Sequence, residues 1–125
     1  MIINLPFPDK RLFPNRKNGK HWTTVSNIKG TQFNQSYLST KKSAGAFTPT
    51  KEFIPLSLMF VTPDKRHRDL DNMLAASKSI LDGVAKALGI DDRRFKPVLI
   101  DWVHGKPPGA LIASVGVNLE MTENL

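Results

Sequence analysis

The sequence predicts a single-domain α/β (α+β) fold, a mixed sheet covered by two helices in the order β-α-β-α-β-β. Three observations predict it. The chain has 125 residues and 40% apolar content, which suits one domain spanning 1–125 with one modest core. Apolar runs of strand length recur near residues 2, 56, 98 and 110. A long amphipathic run, Asn72 to Leu88, separates the second strand from the third.

Ile2 to Phe7 reads as a first strand, closed by Pro6 and Pro8. Asp9 to Trp22 reads as a loop, with turn signals at Pro14-Asn15 and Asn18-Gly19. Thr23 to Ser43 is a helix candidate whose face would be Val25, Ile28, Phe33, Tyr37 and Leu38, with Gly30 a flaw inside it. Leu56 to Thr62 is apolar at most positions and so belongs in the middle of the sheet. In the helix that follows, Leu70, Leu74, Ser77, Leu81, Val84 and Leu88 form an apolar stripe. Asp69 or Asp71 can cap its start, and Gly89 suits its stop. Val98 to Val103 and Ala110 to Leu119 are the last strands, expected to pair as a hairpin through Gly105 to Gly109. The tail from Glu120 is expected to fray.

Composition excludes several classes. No run of 18 apolar residues is present, so no membrane helix is expected. Met1 to Phe7 lacks a basic lead and a cleavage pattern, so no signal peptide is expected. With no cysteine, disulfides and thiolate metal sites are ruled out, which fits a cytoplasmic protein. Three scattered histidines do not suit a His-based zinc site.

The net charge of +7 is unevenly placed. Residues 1–51 hold nine Lys/Arg and one acid, and residues 52–125 hold nine Lys/Arg and ten acids, so the two parts carry +8 and −1. A basic front beside a near-neutral body points to a polyanion such as DNA. Lys10, Arg11, Arg16, Lys17 and Lys20 are the expected phosphate contacts of the first loop. Phe13 and Trp22 lie among them, either as base-stacking platforms or as anchors of the loop to the core.

The chemistry is expected at Pro63-Asp64-Lys65-Arg66-His67-Arg68-Asp69-Leu70-Asp71-Asn72. A basic cluster runs into two aspartates one residue apart. Two close carboxylates repel each other, and a divalent metal resolves that conflict. Mg²⁺ takes one or two carboxylates together with water and phosphate oxygens. Lys65, Arg66 and Arg68 are expected to hold the phosphate. At about 100° per residue, Asp71, Lys78 and Asp82 fall within roughly 20° of one line along the helix, and Ala75 on the same side is too small to obstruct it. Helix capping is the plainer reading of Asp69 and Asp71, an i,i+4 surface pair that of Lys78 and Asp82, and a solvated turn that of Asp91-Asp92.

The basic cluster, Asp69-Leu70-Asp71-Asn72, Lys78 with Leu81-Asp82, Asp91-Asp92 and the opening Leu5-Pro6-Phe7-Pro8 together resemble the RusA family of Holliday junction resolvases. The resemblance spans most of the chain. It implies a homodimeric, Mg²⁺-dependent endonuclease (Mn²⁺ substituting) that cuts four-way DNA junctions by paired, symmetric incisions. Such proteins are often encoded by phages and prophages. By position, Asp69, Asp71 and Asp92 match the family's three essential aspartates, which hold the metal. The family's lysine falls at Ala75, and Lys78, one turn further along the same face, takes its role. Two other classes fit the same residues: a DNA-binding module without chemistry, and a metal nuclease that acts on flaps, loops or forks.

A helix from Asp71 to Gly89 would span about 27 Å, and three further residues reach back only about 10 Å. Asp92 is therefore expected to meet Asp71 across an isologous dimer with antiparallel Asn72–Leu88 helices.

Overall fold

A computed structural model of the chain describes residues 1–14, 22–45, 49 and 51–116. Four strands form one mixed sheet: β1 (Ile2–Leu5), β2 (Ile54–Thr62), β3 (Phe95–His104) and β4 (Ala110–Val115). Three helices accompany them: α1 (Trp22–Ala44), α2 (Leu70–Ala76) and α3 (Lys78–Leu88). Short 3₁₀ turns stand at Lys10–Leu12 and Asp92–Arg94. The protein is thus a small α+β domain.

The strand order is β1-β4-β2-β3. β2 is central, as its apolar run predicts. It pairs parallel with β3 and antiparallel with β4. Along β2, Leu56, Leu58, Phe60 and Thr62 are buried, while Ser57, Met59 and Val61 on the other face are half-buried. β1 and β4 alternate in the same way. The covered face carries the core, and the opposite face is left half open.

The expected hairpin of β3 and β4 does not form. The connection crosses the end of β2 and places β4 on its far side, against β1. Two glycines make this close passage possible. The Gly105 N–H donates to Thr62 O at 2.9 Å. Gly109 has φ 77°, and a Cβ there would lie 2.8 Å from Val61 O.

The predicted second helix is two helices. At Ser77 the backbone turns to φ −95°, ψ 0°. Its N–H reaches Leu74 O at 3.0 Å, and its hydroxyl donates to Met73 O at 2.7 Å. A serine that bonds back to its own helix bends it. The break shifts the buried stripe to Met73, Ala76, Ser77, Ile80, Val84 and Leu88, leaving Leu70, Leu74 and Leu81 half-buried. Gly89 stops α3 in the left-handed conformation, φ 70°, as expected.

α1 also buries a different face. Its inner positions are Ile28, Gln32, Ser36 and Thr40, whereas Leu38 is 66% exposed. The reason is the partner surface. α1 crosses α3 at Gly83, where only small side chains leave room. Gln32 acts as a polar strut in this layer: it accepts from Asp9 N–H at 2.7 Å and donates to Ser79 Oγ at 2.9 Å and Ala76 O at 3.2 Å. Phe13 is buried and stacked on Phe7 with ring centroids 6.3 Å apart, so it anchors the first loop.

Candidate functional site

The segment from Pro63 to Asn72 leaves the end of β2 and enters α2. Asp64 organises it. Its carboxylate accepts from the Arg66 N–H at 2.9 Å and from the Arg68 guanidinium at 2.9 and 3.2 Å. Thr62 Oγ1 donates to Asp64 O at 2.8 Å. Arg68 lies over the Phe7 ring, 5.6 Å from its centroid, and its side chain is only 13% exposed. Arg68 was expected to hold phosphate, but in this structure it is a strut that ties the loop to β1's exit. Lys65, Arg66 and His67 face solvent.

This loop and the first loop enclose a cleft of about 820 Å³. Lys10, Arg11, Arg66, His67, Asp69 and Asn72 are among its lining residues, with apolar walls from Phe7 and Phe13. Arg11 is paired with Asp9 at 2.8 Å. Lys10 and Arg66 thus stand at the same opening, as their predicted role requires. The predicted contacts Arg16, Lys17 and Lys20 lie outside the described residues. Trp22 begins α1 and is 74% exposed.

Asp69 occupies the N-cap position of α2, but its side chain makes no capping hydrogen bond. One of its oxygens meets His67 Nε2 at 3.0 Å, and the other accepts from Asn72 Nδ2 at 3.4 Å. Asp71 is exposed and accepts the Asn72 N–H at 3.0 Å. Asn72 therefore touches both carboxylates. It belongs to the sequence motif, yet sequence reasoning assigned it no role. Asp9, Asp64, Asp82, Asp91 and Asp92 each pair with a Lys or Arg, whereas among the described residues Asp69 and Asp71 pair with none.

Lys78 opens α3. Its Nζ donates to Asp82 Oδ1 at 2.7 Å and to Asp92 Oδ2 at 2.8 Å. These two carboxylates hold its ammonium above the ordinary value. The predicted lysine and third aspartate are therefore neighbours in space, 14 positions apart in the chain. Lys78 pairs with Asp82 and Asp92 rather than with Asp71. The predicted site thus stands as two groups, Asp69 with Asp71 and Lys78 with Asp82 and Asp92. Among the described residues no three His, Asp or Glu side chains gather closely enough to hold a metal. The three-aspartate metal set is not assembled within one chain. The pair Asp69 and Asp71 still offers hard oxygen atoms of the kind Mg²⁺ takes.

The ion pairs set a pH response. The Arg68 guanidinium holds the Asp64 carboxyl well below the usual carboxylate range, and Arg11 lowers Asp9. The Arg93 backbone and side chain lower Asp91. A lowered folded-state pKa stabilises above the unfolded value and is lost as pH falls through the folded one. Lys78 has the opposite sign, with stabilisation lost as pH rises past its raised value. The melting temperature is expected to be flat between about pH 5 and 9 and to fall on both sides. A scan of Tm against pH checks this, and a continuous decline from about pH 8 to 5 would contradict it.

No helix among the described residues is long and apolar enough to cross a membrane. Fold and site together define a small α+β protein with a mixed four-stranded sheet, a cleft rich in basic residues at the end of its central strand, and two nearby aspartates that among the described residues pair with no Lys or Arg. The chain belongs to the family of an uncharacterized protein from Xylella fastidiosa (strain Temecula1), with 37% identity over 106 residues that cover 82% of this chain and 68% of that protein. No protein-family model matches the chain.

Proposed function

We propose that the protein is a RusA-type, Mg²⁺-dependent endonuclease that acts as a homodimer and resolves four-way DNA junctions. One observation carries the reading. Asp69 lines a cleft that also carries Lys10, Arg11 and Arg66, Asp71 follows it in the first turn of α2, Asn72 bonds to both, and neither is neutralised by the Lys and Arg residues around them. Asp69 sits where a capping residue would, yet does no capping, so its place in the chain needs another explanation. The sequence resemblance supplies that explanation.

Each residue then has a task. Arg66, Lys65 and Lys10 hold phosphates that flank the scissile bond. Asn72 orients both carboxylates through its side chain and backbone N–H. Arg68 and Asp64 fix the loop that presents them. A magnesium ion held by Asp69 and Asp71 would supply Lewis acidity and activate water for attack on the phosphodiester. Lys78 steadies developing negative charge once DNA is bound.

Comparing cleavage of a synthetic four-way junction, a fork and a linear duplex tests the substrate. The junction should be cut fastest, and equal rates on all three would leave a metal nuclease of broader substrate. A second reading, a DNA-binding module without chemistry, is favoured by the double engagement of the Lys78 ammonium with Asp82 and Asp92. The Lys78→Ala variant separates the two. It should cut the junction at least about a hundredfold more slowly. Its stability should change by less than about 1 kcal/mol, because both ion pairs are exposed. Cleavage at the wild-type rate would remove Lys78 from the mechanism.

A further inference from the structure

We infer that a second cavity, between the first loop and α1, receives a single unstacked base of the DNA strand held in the basic cleft, and that Asn27 and Gln35 read the edge of that base. The inference rests on the nuclease reading and adds to it a site of base recognition.

The first support is position. Phe7, Asp9 and Arg11 line both this cavity and the basic cleft, so the two spaces are neighbours across one wall. The wall is held at several points. Asp9 N–H donates to Gln32 Oε1 at 2.7 Å, and Gln32 is itself bonded to Ser79 Oγ and Ala76 O. The Asp9 carboxylate accepts from the Arg11 backbone N–H at 2.9 Å and from its guanidinium at 2.8 and 3.0 Å. Those bonds engage Nε and Nη2, which sets the direction of the guanidinium and leaves Nη1 for a phosphate. A nucleotide whose phosphate meets Arg11 therefore stands at the entrance of both spaces.

The second support is the lining. Ile28 and Ile80 are buried and form an apolar floor, with the half-buried Phe7 beside them. Asn27, Thr31 and Gln35 recur at every fourth position of α1 and so share one side of the cavity, where all three are exposed. The Thr31 hydroxyl donates to Asn27 O at 3.0 Å, and among the described residues the Asn27 and Gln35 amides are engaged by nothing. Exposed amides alone are ordinary on a helix. Amides above an apolar floor match a nucleobase, which has a flat π-face and a polar edge. Each amide carries a donor and an acceptor side by side, and so tells the bases apart by their edge patterns.

The third support is size and cost. The cavity has about 350 Å³, near the lower end of the range of ligand pockets, about 300–1,000 Å³. That is room for one base and not for a duplex. A base inside a continuous duplex must break its pair and its stack to enter, whereas a base at a branch point has lost part of that stacking already. The pocket thus favours branched over linear DNA. It also supplies a base preference, which the phosphate contacts of the cleft cannot.

A four-way junction with 2-aminopurine placed at one position at a time around the branch point tests the pocket, with Ca²⁺ in place of Mg²⁺. This base brightens when it leaves the stack. At protein concentrations that saturate the junction by gel shift, one position should brighten several-fold. Thr31→Phe fills the cavity from the exposed side of α1, and should keep the wild-type Tm while abolishing the brightening. In Mg²⁺, with that position varied over the four natural bases, the wild type should prefer one base by about tenfold, and the Asn27→Ala/Gln35→Ala chain should cut all of them alike. No brightening at any position, brightening that Thr31→Phe leaves intact, or a base preference absent from the wild type or kept by the alanine variant would overturn the pocket. Where any of these accompanies cleavage of the junction, the nuclease stands without the pocket. Brightening that Thr31→Phe abolishes, with no cleavage by the wild type in Mg²⁺, would uphold the pocket and overturn the nuclease. A junction left unbound would overturn both.

Discussion

Exchange of Asp71 for asparagine is expected to slow cleavage of a four-way junction in Mg²⁺ by at least about a thousandfold. The change is nearly isosteric. Asparagine keeps an oxygen for the Asn72 N–H that Asp71 accepts at 3.0 Å, so the first turn of α2 is preserved. What disappears is one negative charge. That charge has no Lys or Arg partner among the described residues, so its removal frees no buried cation and breaks no ion pair. The fold and its Tm should therefore be unchanged. Junction binding should be equal or tighter, because one like charge near the phosphates is gone. Single-turnover cleavage and a gel-shift titration measure the two effects separately. Binding that falls in parallel with cleavage would mark Asp71 as a structural residue.

The largest stability effect is expected at Gly83. A Cβ there would meet the Ser36 hydroxyl and would lie 2.5 Å from Phe33 O, with Tyr37 N at 3.1 Å. The hydroxyl can rotate, but the backbone carbonyl cannot. Valine at this position must push α1 away from α3, and the two helices make the main helix–helix contact of the domain. The cost should be about 3 kcal/mol or more, beyond any gain in helix propensity. In Tm that is a fall on the order of 10 °C. Gly30→Ala is the matching control. Nothing stands within 4 Å of a Cβ at Gly30, so this variant should gain about 0.5–1 kcal/mol. Equal stability of the two glycine variants would contradict the packing described for the α1–α3 crossing.

These two glycines show why the sequence was legible in some places and not in others. Both look alike as helix flaws, and only the crossing helix distinguishes them. Local signals that depend on one element were readable: the apolar run of β2 and the Gly89 stop. Signals that depend on a neighbour were not. The inner face of α1 is Ile28, Gln32, Ser36 and Thr40, because α3 comes too close for larger side chains. The β3–β4 hairpin failed for a similar reason. A five-residue connection suits a hairpin, but it also suits a crossing over the end of β2 when glycine stands at 105 and 109. The helix break at Ser77 has a weak sequence signal, a serine inside an apolar stripe, which is also the commonest disguise of a buried helix position.

The candidate site divides along the same line. Asp69, Asp71 and the basic residues around them are contiguous in sequence, from the loop after β2 into the first turn of α2. The link between Lys78 and Asp92 was anticipated only as membership of one site, and the structure adds a direct contact at 2.8 Å. Arg68 could not be separated from Arg66 by sequence. One is a half-buried strut on Asp64 and Phe7, and the other is an exposed cation at the cleft. The difference lies in Phe7, which arrives from the far end of the chain.

The central claim is that Asp69 and Asp71 gather a divalent ion at the mouth of the basic cleft. Anomalous diffraction from crystals of the full chain soaked in Mn²⁺ tests it most directly. The account predicts a Mn²⁺ peak bonded to oxygens of both Asp69 and Asp71, absent from the Asp71→Asn crystal. A soaked crystal with Mn²⁺ bound elsewhere and that pair empty would contradict it.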